Sequence, residues 1–156
     1  MEKTIIDTVF GEISYDHSWE KSENVSLWGK DHSLRVVARA YNSDSINDRQ
    51  RAAYTEYKAN ALEYEQQIPG ALLDYYKANY DDITAMVELP DRYKLENITK
   101  EDVIRLIKVK TLFFETDGRY GYLCDCIWDR EHGIAILCEH TNGDTYVRIT
   151  DQDELI

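Results

Sequence analysis

Arg119–Gly133, RYGYLCDCIWDREHG, places a strand, a charged turn and a candidate site within fifteen residues. Tyr120 to Cys126 is an apolar run, and Asp129 to Gly133 then supplies the Asp and the Gly that begin and end hairpin loops. The same punctuation flanks it, with Asp117-Gly118 upstream and Asn142-Gly143-Asp144 downstream. From Ile107 onward the chain therefore reads as four antiparallel strands joined by hairpins.

Upstream of this region the period changes. Thr99 and Asp102 make a capping box for a short helix from about Lys100, and Leu89-Pro90-Asp91 closes the unit before it. Ile46, Ala53, Tyr57, Ala61, Tyr64 and Ile68 follow the spacing of one helical face, as do Leu73, Tyr76, Tyr80, Ile83 and Val87. Ile68-Pro69-Gly70 between them predicts a break, because proline disfavours helical geometry in the residue before it and suits the first turn of a new helix. Two helices are expected, over residues 46–67 and 70–88. From Thr4 to Tyr41 the alternation is strand-like: Ile13, Tyr15, His17 and Trp19 on one run, Leu34, Val36, Ala38 and Ala40 on another. Turns are expected at Ser22-Glu23-Asn24 and Gly29-Lys30-Asp31, giving three or four short strands.

No internal repeat, low-complexity tract or long linker interrupts the chain, so one domain over residues 1–156 is expected. The fold class is α+β, an antiparallel sheet built from N- and C-terminal strands with two central helices packed on one face. Its core draws on Val36, Ala38, Tyr57, Leu73, Leu112, Phe114, Leu123, Ile136 and Val147.

Of the 156 residues 43% are hydrophobic and 31% charged, which argues against both wholesale disorder and a membrane protein. The net charge is −12, and Glu115–Ile156 alone carries ten acids against three bases. Phosphate backbones repel such a chain, so nucleic acid is not an expected partner; a basic protein is, unless the charge serves solubility alone. Asp7 interrupts the apolar run of the N-terminus MEKTIIDTVFGE, which fits neither a signal peptide nor a membrane span. Three cysteines, an odd number, predict thiols in a cytoplasmic setting rather than a disulfide framework.

Three features bear on chemistry. Cys124-Asp125-Cys126 and Cys138-Glu139-His140 flank the charged turn. A register placing 124 opposite 138 would bring Cys124, Cys126, Cys138 and His140 to one face as a zinc-type donor set. Residues two apart on a strand stand about 6.5–7 Å apart, however, and thiolates on one zinc lie within about 4 Å of each other, so a bulge would be required. Buried apolar thiols are the simpler reading. Second, in the turn Trp128-Asp129-Arg130-Glu131-His132-Gly133, Asp129, Glu131 and His132 offer an acid, a base or ligands, or else a solvated hairpin turn. Third, Tyr75 lies off the apolar stripe beside Asp74, Asp81 and Asp82, where a rigid ring among acids suits a basic partner; an ordinary surface helix is the alternative. His17, Trp19, Trp28 and His32 read as packing and turn residues. HExxH, GxSxG and Walker-type spacings do not occur.

Tyr120-Gly121, Cys124-Asp125, Trp128-Asp129, Glu131-His132-Gly133 and Gln152-Asp153 together resemble the C-terminal signature of a group of uncharacterised bacterial domains of unknown function. The Phe10-Gly11 opening followed by Leu27-Trp28-Gly29 is similar to openings in related domains. Some members of the group lie near polymorphic-toxin immunity genes, so the resemblance implies an immunity-type protein, and it carries no established activity onto these residues. Non-catalytic binding of a basic protein partner, such as a toxin domain, is therefore the expected function. The alternative is a metal protein or hydrolase-like enzyme using Asp129, Glu131 and His132 with the cysteine and histidine cluster.

Overall fold

Trp28 and Gly29 both take positive φ, 52° and 78°, the two-residue turn whose twist matches the strands it joins. It folds β3 (Trp19–Leu27) back onto β4 (Lys30–Ala38) with Leu27 opposite Lys30. Asn142 and Gly143, at 55° and 83°, do the same between β7 (Asp129–Thr141) and β8 (Asp144–Asp151). The computed structural model describes residues 3–156. With β1 (Lys3–Asp7), β2 (Gly11–Tyr15), β5 (Ile107–Phe114) and β6 (Tyr120–Cys126), these strands form one eight-stranded sheet ordered β1 to β8 as in the chain. The fold is α+β. Every neighbouring pair is antiparallel except β4–β5, which runs parallel from Arg35–Ala38 against Thr111–Phe114.

A parallel pair needs a crossover, and helix α1 (Asp48–Ala78) supplies it. Asn47 caps the helix through a reciprocal capping box with Gln50. The fully buried Gln50 amide also donates to the carbonyls of Arg39, at 2.8 Å, and Phe114, at 3.2 Å, tying the helix start to the ends of β4 and β5.

Three sequence expectations change here. The predicted break at Pro69 does not occur, and residues 70–78 continue α1. Proline removes a donor from the carbonyl four residues back, that of Glu65, and the Trp28 indole N–H donates to this oxygen instead at 3.0 Å. The departure from helical angles comes at Asn60 (φ −125°, ψ 15°), whose side-chain amide donates to the Glu56 carbonyl at 3.2 Å. Only the short α2 (Tyr80–Met86) is separate, and α3 (Lys100–Ile104) carries the expected Thr99/Asp102 capping box. At the N-terminal end, Ser22-Glu23-Asn24 lies inside unbroken β3, where its polar residues meet β4 in register. His17 (φ 70°) sits in the turn between β2 and β3, so Ile13 and Tyr15 belong to a different strand from Trp19.

The helix-covered face of the sheet holds the main core, which is strongly aromatic: Phe10 stacks on Tyr54 at 4.4 Å and Phe114 on Tyr120 at 5.1 Å. Val36, Ala38, Tyr57, Leu112, Phe114 and Ile136 lie there as expected, with Leu73 and Val147 partly buried at its margin. Leu123 belongs to the other face, where Val37, Phe113, Ala135 and Leu137 are covered by Leu155 from the C-terminal turn. Among the described residues no helix is long and apolar enough to cross a membrane.

Candidate functional site

The last third of α1 crosses the β6–β7 connection, and there two features that are remote in sequence meet. The Tyr75 ring lies over Trp128 with centroids 6.4 Å apart and planes 29° apart, while Tyr76 meets the same indole edge-on at 6.3 Å. Trp128 is buried and Tyr75 half-buried, so Tyr75 is partly spent on its own core. Burial, reinforced by the nearby Asp151 carboxylate, pushes the Tyr75 phenol above its ordinary range. Asp151 and Asp129 lie near the Tyr75 phenol, and Asp74, Glu131, Asp151 and Asp153 are exposed.

The chain reverses at Ile127-Trp128, two residues earlier than the turn expected at Asp129–Gly133. Asp129 pairs with Cys126, but the next rung joins Ile134 to Cys124, so residues 130–133 bulge out of β7. Gly133 (φ 64°) ends the bulge against the Cys124 carbonyl, with which any Cβ would collide. The Gln152 amide donates to that carbonyl at 3.1 Å, so the C-terminal turn holds the bulge in place. Within the bulge the Asp129 carboxylate accepts from the His132 backbone N–H and meets its Nδ1, both at 3.1 Å. This hydrogen bond raises the His132 pKa. Glu131 points to solvent.

Asp81 and Asp82 are not part of this corner. They lie on α2 beside a separate hollow lined by Lys77, Asn79, Tyr80 and Leu95. Of the four residues Asp74, Tyr75, Asp81 and Asp82, the first two lie on α1 and the last two on α2.

The strand register also separates the cysteines. Cys124 stands opposite Ile134 and Cys138 opposite Tyr120, which puts them four residues, about 13 Å, apart along the sheet. His140 is exposed and pairs with Thr145, beyond the end of β6. All three thiols are free and buried, and burial raises their pKa values, that of Cys126 to about 11. Among the described residues no three His, Cys, Asp or Glu side chains stand together in metal-binding geometry.

Sequence reasoning passed over Glu56. Its carboxylate accepts from the hydroxyls of Tyr64, at 2.7 Å, and Tyr120, and from the Asn60 amide at 2.9 Å. Tyr57 and Tyr122 share a hydroxyl pair at 2.8 Å beside it. The i, i+4, i+8 spacing of Glu56, Asn60 and Tyr64 was the available signal.

Neither the curated proteins nor the solved structures contain a match to this chain. The sequence model of a domain of unknown function, DUF6985, matches residues 9–156, from before β2 to the final turn, and the chain belongs to that family.

Proposed function

We propose that this protein is a non-catalytic binding domain whose Tyr75–Trp128 corner receives a basic protein surface, in the manner of an immunity protein neutralising a basic toxin domain. The supporting observation is the Tyr75–Trp128 pair with the Asp151 and Asp129 carboxylates beside it. Among the described residues, Asp74, Glu131, Asp151 and Asp153 form no ion pair with a lysine or arginine. Uncompensated charge beside a rigid aromatic platform favours fast, salt-sensitive association with a basic partner. Three free thiols support a cytoplasmic setting.

A metal or hydrolytic centre on Asp129, Glu131, His132 and the cysteines has less support, since Asp129 and His132 bond each other and the thiols are sealed in the core.

The test is affinity purification from the native host at moderate salt, followed by titration of any stoichiometric basic partner. Reversing Asp74 and Asp151 to lysine is expected to weaken binding about tenfold or more, while reversing Asp81 and Asp82 changes it little. Equal binding by all variants, or a partner whose affinity ignores salt, would remove this corner as the interface.

A further inference from the structure

The sheet is incomplete at the lower end of its one parallel pair. β4 and β5 are hydrogen-bonded only over Arg35–Ala38 and Thr111–Phe114, and β5 carries an irregularity between Val109 and Thr111. Ahead of that point Lys30–Leu34 pairs only with β3, and Ile107–Val109 only with β6. The bulge turns β5 away from β4, and the gap is a half-open cleft of about 710 Å³ floored by α1 at Pro69 and by α3. That volume lies within the range of small-molecule sites, about 300–1,000 Å³.

The lining has a definite chemistry. Leu27, Trp28, Pro69, Ile104, Ile107 and Val109 supply apolar walls. Because the Trp28 indole N–H is already bonded to Glu65, its ring is fixed and offers only carbon surface. Lys30 and Lys100 stand at the mouth, both exposed, and neither is ion-paired among the described residues of a chain whose net charge is −12. Arg105 is held by Asp102 at 2.9 Å, and Glu101 adds one negative charge at the rim. His32 lines the cleft with a buried Nε2 that has no hydrogen-bond partner.

We propose that this cleft binds a small monocarboxylate with a flat, apolar body, the ring lying against Trp28, Ile104 and Ile107 and the carboxylate meeting Lys30 and Lys100. Two free cations set against one rim acid suit a single negative charge better than a phosphate dianion. The site is distinct from the acidic corner, which would repel the same ligand.

The experiment titrates the full-length protein with 2-naphthoate and with the uncharged 2-naphthamide, following the Trp28 indole and His32 ring signals by NMR. Saturable shifts with naphthoate, at a dissociation constant of about 1 mM or tighter, are expected, with the amide at least tenfold weaker. Lys30→Gln with Lys100→Gln, both exposed changes that leave the core intact, should also weaken naphthoate tenfold, and Ile104→Trp should fill the cleft and abolish binding. No saturable shift at these signals, equal binding of the amide, or unchanged affinity in the double lysine variant would each overturn the proposal.

Discussion

Gly133 shows how one backbone position controls the acidic corner. Its φ of 64° and its approach to the Cys124 carbonyl leave no room for a Cβ. Gly133→Ala is expected to cost about 2 kcal/mol or more, read as a lowered urea midpoint with an unchanged slope. The alanine should also disturb Asp129 and His132, whose hydrogen bonds depend on the same bulge, whereas Gln152→Ala should cost about 1 kcal/mol by freeing one carbonyl. A Gly133→Ala protein as stable as the parent would mean that the bulge relaxes freely. The left-handed glycine was legible in the sequence, since Asp129 and Gly133 have turn chemistry. Its place was not: whether such residues close a hairpin or swell a strand depends on the partner's register, which Asp129–Gly133 does not contain.

Helix α1 carries the clearest lesson at the level of an element. Its apolar spacing on both sides of Pro69 was readable from Ala53 to Tyr76, and so was the capping box of α3. The continuity through Pro69 was hidden because the missing donor comes from Trp28, on a hairpin thirty-seven residues before the Glu65 carbonyl it bonds. Trp28 itself occupies a left-handed position that a bulky residue adopts at some cost, so the indole bond and the hairpin support each other. Trp28→Phe is expected to destabilise by about 1–2 kcal/mol, and Pro69→Ala to restore an internal donor. In a double-mutant cycle followed by urea unfolding, the cost of Trp28→Phe should shrink by about 1 kcal/mol in the Pro69→Ala background. Strict additivity would show that the indole does not substitute for the proline's absent N–H.

Across the whole molecule the unusual quantity is tyrosine, twelve residues of 156. Burial raises the phenol pKa of Tyr54, Tyr57, Tyr64, Tyr75, Tyr76, Tyr120 and Tyr122, to about 12 for Tyr57 and Tyr76. The folded state thus favours the neutral phenol. Its contribution is complete below the unfolded pKa of about 10 and is lost as pH rises through the folded values. Ultraviolet titration should show these seven ionising together with loss of near-ultraviolet circular dichroism; independent, reversible ionisation in a folded protein would contradict the buried network. Strands at both ends and helices between them were legible from periodicity. The parallel step from β4 to β5 was not, because alternation in Leu34–Ala40 marks a face and names no neighbour.

That single parallel step also divides assembly in time. Each four-stranded meander is built from short hairpins that can close within microseconds to milliseconds, whereas bringing β4 to β5 closes a loop from Ala38 to Ile107 at an entropic cost of about 4 kcal/mol. That junction, four residue pairs long, has the greatest sequence separation in the sheet and is therefore expected to form after the local hairpins.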